Sequence, residues 1–340
     1  MKKIYILLLL LAASTNFGQS AFYDFAETYP LGEDPNIRYM TSYTPQEKII
    51  FEANPIMRYS IYNSFVAGLM DTNYHPQGWY FAFKPQLRMY EGNSKPVKMP
   101  SYRILLGTQH LFQLPCKNKE TAQFLGFLLE SGHYSNGQNR SSFSEEFEDE
   151  SDGGNAIYTT ITPDTKLSDI LNRASGNFST NLTELQVNYR SYRIDRNNTG
   201  DRMFSYTLGY MLYHNYFLGL LDFGGYTQND IRLYGRNRFS LGGEFMKVEH
   251  FNEACHYFRY SIKQTFEYID NPHQSAEKWR SETIFTCYPF AKSKAFGFLM
   301  SYIQGHDNYN FRFVDHGSQF TAGITWCLFP PMQLTSAFGE

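Results

Sequence analysis

The sequence predicts an all-β fold: a transmembrane antiparallel β-barrel of about 12 strands, forming a single domain after a signal peptide. Three observations carry this reading. The N-terminus looks like an export signal, aromatic residues make up 18% of the chain with 30 Phe and 27 Tyr, and many short segments alternate apolar and polar residues. So many rings exceed what a core needs, and barrels place the surplus in girdles at the two membrane interfaces. A secreted β-sandwich is the competing architecture. It would leave whole rows of Arg, Glu, Gln and Asn to solvent, whereas a barrel encloses them as a lumen lining.

Residues 1–20 give the export signal: Met1, Lys2 and Lys3 precede an apolar stretch from Ile4 to Ala13, and small and polar residues follow to Ser20. An apolar core of about ten residues is half of what a spanning helix needs. Residues 21–45 are then expected to form an N-terminal periplasmic segment, 46–330 the barrel, and 331–340 a C-terminal tail.

Strands are expected near 36–43, 47–60, 77–90, 101–113, 121–135, 182–190, 204–212, 231–241, 258–269, 281–290, 294–306 and 320–328. The test is parity, because successive side chains of a strand point to opposite faces. From 182 to 190 the odd row is Thr183, Leu185, Val187 and Tyr189, opposite Leu182, Glu184, Gln186, Asn188 and Arg190, where only Leu182 breaks the polar row. From 231 to 241, Ile231, Leu233, Phe239 and Leu241 oppose Arg232, Tyr234, Arg236, Arg238 and Ser240. From 320 to 328, Phe320, Ala322, Ile324, Trp326 and Leu328 form the apolar row.

Between residues 143 and 177 lies a loop insertion, acidic at Glu145, Glu146, Glu148, Asp149, Glu150 and Asp152. A solvated loop and a cation-binding surface both remain open for it. The net charge of −3 and the lack of a basic stripe exclude a nucleic-acid partner. Cys116, Cys255, Cys287 and Cys327 are too widely spread for a metal or redox motif, and their pairing is open.

The chemistry gathers in Gly132-His133-Tyr134-Ser135-Asn136-Gly137. A serine hydroxyl is a poor nucleophile until a base takes its proton, and His133 shares a strand face with Ser135. In the same strand Leu125, Phe127 and Leu129 form the odd, apolar row. His133 and Ser135 are odd too, so they are expected on the outside of the barrel near its rim, facing lipid.

The segment His133-Tyr134-Ser135-Asn136-Gly137, together with Asp71-Thr72-Asn73-Tyr74-His75-Pro76-Gln77 upstream, resembles the outer-membrane phospholipase A family over about residues 46–329. The resemblance implies a calcium-dependent hydrolase of phospholipid acyl esters in the bacterial outer membrane. Ser135 would be the nucleophile and His133 the base, with an asparagine of the next strand orienting the imidazole. Parity selects Asn181 for that part, with Asn177 second; Asn136 faces the other way. This chain departs from the family pattern in placing 45 residues between Ser135 and Asn181.

The resemblance further implies an oxyanion donor at the Gly137 amide and calcium ligands at Gln138 and Asn177. It also implies a homodimer in the active state, with Gln77 at its interface or, alternatively, a barrel-facing glutamine. In that setting the acidic loop would meet lipopolysaccharide through divalent ions. The rival functions are a lipid A deacylase-type barrel, with Glu145 or Glu146 completing the site, and a passive porin or structural barrel.

Overall fold

The structure, a computed structural model, describes residues 31–43, 47–64, 77–91, 97, 99–115, 121–194, 200–217, 220–222, 225–251, 256–289 and 296–326. The expected signal peptide at 1–20, the tail at 331–340, the residues from Asp71 to Pro76, and Cys116, Cys255 and Cys327 lie outside them. Among the described residues no helix is long and apolar enough to cross a membrane. The chain crosses with strands.

In chain order the strands are β1 (Asn36–Met40), β2 (Ile49–Asn54), β3 (Met57–Asn63), β4 (Gln77–Tyr90), β5 (Ser101–Leu114), β6 (Thr121–Ser135), β7 (Ser179–Ile194) and β8 (Gly200–His214). Then come the short pair β9 (Tyr216–Phe217) and β10 (Leu221–Asp222), followed by β11 (Asn237–Phe251), β12 (His256–Ile269), β13 (Trp279–Tyr288), β14 (Phe296–His306) and β15 (His316–Trp326). All pairings are antiparallel; β8 pairs with β11 past the short β9–β10 hairpin, and β1 closes the ring between β15 and β2. β2 and β3 both pair with β4 on either side of Pro55, so together they make one wall strand and the wall counts 12.

The two-residue period is clear in β4 and β14, whereas β2 loses it where a bulge falls between Ile49 and Phe51. In β4, Trp79, Phe81 and Phe83 are exposed on the outside while Tyr80, Ala82, Lys84 and Arg88 are buried inside. Exposed Phe127, Leu129, Leu185, Val187, Phe204, Leu208, Leu241, Phe266, Phe298 and Met300 continue that band around the barrel. Apolar side chains on the outside and polar ones within are the solvation pattern of an outer-membrane barrel, inverted from a soluble protein. The wall begins earlier than residue 46: Asn36–Met40, inside the segment assigned to the periplasm, supplies β1 because Ile37 and Tyr39 fit the outward row opposite β15.

The lumen is filled by ion pairs and hydrogen bonds. Lys84 Nζ donates to Glu130 Oε2 at 2.6 Å, and Tyr80 Oη to Glu130 Oε1 at 2.7 Å. Arg38 bridges Glu52 and Glu282, and Arg280 adds a second bond to Glu282 at 2.7 Å. The chain before β1 also enters the lumen, where Leu31 exchanges two hydrogen bonds with Gln109 and Glu33 takes a bidentate pair from Arg103. Gly107 leaves room for Tyr80, whose ring would stand 2.5 Å from any Cβ at that position.

The long connections gather at the rim where β6 ends. The 143–177 insertion is not simply a solvated loop: its acidic side chains Glu145, Glu146, Glu148, Glu150 and Asp152 are exposed, but its apolar ones fold inward. Within it, α1 (Asp152–Thr160) starts where Ser151 Oγ accepts Gly154 N–H at 3.0 Å, and α2 (Leu167–Ile170) follows. Phe143, Tyr158, Ile161, Leu167 and Leu171 pack with Tyr134, Phe178, Tyr213, Tyr234, Phe311 and Phe313 into one rim core. Each such side chain contributes about 1.5–3 kcal/mol on burial, which holds a cap that acidity alone would leave loose.

Residues 231–234, expected to begin a strand, belong instead to α3 (Gln228–Tyr234). A capping box overrides the short alternation. Thr227 Oγ1 accepts the Asp230 N–H at 3.2 Å, while the Thr227 N–H and hydroxyl donate to Asp230 Oδ2 at 3.0 and 2.7 Å. Burial pushes the Asp230 carboxyl up to about 7, against the Thr227 hydrogen bonds that pull it down. A carboxyl raised above its unfolded value binds more protons folded than unfolded, so the cap loses stability as pH rises from about 4 to 7. Hydrogen exchange across 227–236, corrected for intrinsic rate, should accelerate between about pH 4 and 7 and stay level in Asp230→Asn. A level wild-type profile rejects this assignment.

Candidate active site

His133 and Ser135 lie in the last turn of the pleat of β6 and continue the outward row of Phe127 and Leu129. Across the ladder His133 pairs with Asn181 and Ser135 with Ser179. The 45 intervening residues return to register because the cap is sewn to the strand ends. Asn136, only 1% exposed, donates to the Gly176 carbonyl at 2.8 Å and accepts Phe178 N–H at 2.9 Å.

The His133 ring meets the Asn181 side chain, Nδ1 to Oδ1, at 3.0 Å. Asn181 Nδ2 donates to the Asn215 carbonyl at 2.6 Å, which fixes the amide's orientation. An amide oxygen only accepts, so His133 Nδ1 carries a proton, and in the neutral ring the lone pair is on Nε2. That is the tautomer a general base requires.

Ser135 Oγ accepts the Gly137 N–H at 3.0 Å. Gly137 has φ of 66°, and no atom lies within 4 Å of where a Cβ would stand, so backbone conformation rather than crowding calls for glycine. Among the described residues no hydrogen bond joins Ser135 to His133; the two leave one strand face about 7 Å apart along the chain.

Asn181 sits on the outward face yet is fully buried. The connection after β8 folds back so that β9 lies against β6 and β7, and a Cβ on Gly225 would stand 3.3 Å from Asn181 Nδ2. The uncharged amide suits this place, since an ionised carboxylate there would carry a desolvation penalty of several kcal/mol.

Asn177 lies at the edge of the site but does not face His133. Its Nδ2 donates to Asp149 Oδ2 at 2.7 Å, and its carbonyl accepts the Ser142 hydroxyl at 2.6 Å. Gln138 N–H donates to Asn136 Oδ1 at 3.2 Å. Burial holds the Asp149 carboxyl above the usual range. Among the described residues no group of three or more His, Cys, Asp or Glu side chains is placed to hold a metal. Gln77 opens β4 at the opposite rim, on the outward parity of Trp79 and Phe81, with its backbone paired to Ser64.

Sequence reasoning missed Asn215 and His214, and it named Asp149 only as one of the acidic residues of the loop. The outward row from Phe204 to Leu212 extends by parity to His214, which was the available signal; Asn215 acts through its carbonyl, which no side-chain pattern reports.

No family model and no curated protein matches this sequence. Among solved structures, the fold is similar to outer membrane phospholipase A from Escherichia coli, at 10% identity over 93% of this chain and 96% of that chain, with a TM-score of 0.46. It is also similar to the calcium-bound dimer of the Salmonella typhi outer membrane phospholipase, at 10% identity over 88% and 91% of the two chains and a TM-score of 0.45. LpxR from Salmonella typhimurium gives 10% identity over 86% of this chain and 99% of that chain, with a TM-score of 0.35.

Proposed function

We propose that the barrel is an outer-membrane phospholipase A that hydrolyses acyl esters of phospholipids with Ser135, His133 and Asn181. The observation that carries the reading is the His133–Asn181 hydrogen bond on the outward face, in the row that also holds Ser135. His133 Nε2 takes the Ser135 proton as Oγ attacks an ester carbonyl of a lipid lying against the wall. Asn181 keeps the imidazole turned so that the positive charge it acquires is shared with an amide oxygen. The Gly137 N–H, already 3.0 Å from Oγ, then faces the oxyanion that forms beside it. His133 returns the proton to the leaving alcohol, and water releases the fatty acid.

Calcium is the cofactor we propose. The Gln138 carbonyl and the Asn177 amide oxygen are hard donors of the type it takes, and Asp149, bonded to Asn177, adds a carboxylate next to them. Bound there, the cation would supply electrostatic stabilisation of negative charge beside the nucleophile. A homodimer with Gln77 at its interface is part of the same reading.

The lipid A deacylase alternative needs Glu145 or Glu146 beside His133. Both are exposed on the cap, whereas the Nδ1 partner is Asn181. Asn181→Ala is expected to lower kcat on phospholipid in calcium-containing mixed micelles by roughly 10- to 100-fold, the worth of a 1–3 kcal/mol hydrogen bond. A fluorophosphonate should label Ser135. If the folded barrel neither labels nor hydrolyses in calcium, it is a passive barrel.

A further inference from the structure

The asparagine that orients His133 is itself aimed from behind. Its Nδ2 bonds to the Asn215 carbonyl at 2.6 Å, just past the end of β8, where the chain turns away from the wall toward β9. The ring of His214 spans the same turn. Tyr216 N–H donates to His214 Nδ1 at 3.2 Å, closing a turn two residues long as an Asx side chain does.

A backbone N–H only donates, so His214 Nδ1 offers a lone pair and the neutral ring carries its proton on Nε2. That nitrogen lies 2.9 Å from Thr183 Oγ1 and therefore donates to it. Thr183 in turn gives its hydrogen to Ser131 Oγ at 2.8 Å, and Ser131 donates to the Leu182 carbonyl at 3.1 Å. The Leu182 carbonyl only accepts, so Ser131 spends its hydrogen there and takes that of Thr183. The ring is 8% exposed and gripped at both nitrogens, on the same outward face as the catalytic row and directly across the ladder from Asn181.

We propose that His214 is a positioning residue: by pinning the 214–216 turn it aims the Asn215 carbonyl at Asn181, which then presents Oδ1 to His133. This proposal rests on the hydrolase reading above. His214 touches neither substrate nor nucleophile. The role is conformational, and an asparagine at 214 would preserve half of it, because Oδ1 can accept the Tyr216 N–H as Nδ1 does.

The test is a set of kinetic variants on phospholipid mixed micelles with calcium, each checked for folded-barrel mobility on a gel. His214→Leu should lower kcat about tenfold with KM within twofold, since one neutral hydrogen bond is lost from the orienting chain. His214→Asn should recover to within about threefold of wild type on the same reasoning. In an Asn181→Ala background His214→Leu should cost nothing further, because the residue it aims is gone. An undiminished loss in that background overturns the proposal, as does a folded His214→Asn that is as slow as His214→Leu.

The 15N shifts of the His214 ring give a readout that does not depend on turnover. An unprotonated Nδ1 with protonated Nε2 supports the clamp, and the opposite tautomer rejects it. Full activity in Ser135→Ala would overturn the hydrolase reading instead, and with it the positioning role, leaving the tautomer to report on the clamp alone.

Discussion

Ser135→Ala is expected to abolish fatty-acid release from phospholipid, with a loss on the order of 10⁴–10⁶ in kcat, and His133→Ala to fall about as far. The two are not independent. Without a base the hydroxyl keeps its proton, and without the hydroxyl the base has nothing to activate, so the double variant should be no slower than either single one. His133 has a polar partner in Asn181, and Ser135 is half-buried at the strand end, so neither substitution removes a piece of the packed core. Folded-barrel mobility and a calcium-supplied micelle assay check this together. A folded Ser135→Ala that still hydrolyses at the wild-type rate rejects the mechanism.

The largest expected effect on stability lies at Arg88. Its side chain is 1% exposed and reaches Glu52 Oε2 from Nη2 at 2.6 Å and from Nε at 3.1 Å. The same guanidinium bonds Asp307 through Nη1 at 2.6 Å and Nη2 at 2.9 Å, and its centre lies 4.3 Å over the Tyr309 ring. It therefore ties the wall at β2 and β4 to the connection between β14 and β15 that carries the 3-10 helix Asn310–Val314. Methionine would leave two carboxylates buried with fewer partners, a situation that costs about 3–5 kcal/mol. Urea unfolding followed by tryptophan fluorescence in detergent should show the midpoint of Arg88→Met falling. Adding Asp307→Asn should restore part of the loss, since it removes one of the stranded charges. A midpoint equal to wild type would mean that the lumen network carries little of the stability.

Parity made the wall legible. Lipid outside and a polar lumen inside impose a period of two on each crossing, so β4 at 77–90 and β6 at 121–135 can be read from the residues alone. The same count put His133, Ser135 and Asn181 on one face. It failed where local chemistry competes with it. At Ile231 and Leu233 four alternating residues are weaker than a Thr227–Asp230 capping box. The fold of the 143–177 cap was illegible because its acidic residues point to a solvated loop, while its burial depends on Phe143, Tyr158 and Leu167 meeting Tyr213 and Phe313, which come from far along the chain. Lumen ion pairs such as Arg88–Asp307, 219 residues apart, are likewise products of closure that no local window contains.

On the hydrolase function proposed above, the outward placement of the row running from Phe127 to Ser135 also sets how a substrate would arrive. A molecule dissolved in the surrounding leaflet meets this row by sliding along the barrel wall, so the search takes place in two dimensions and never leaves the membrane plane. Its frequency then scales with the mole fraction of substrate in the surface, and diluting phospholipid with inert detergent should slow the barrel even when the bulk concentration of lipid is held constant.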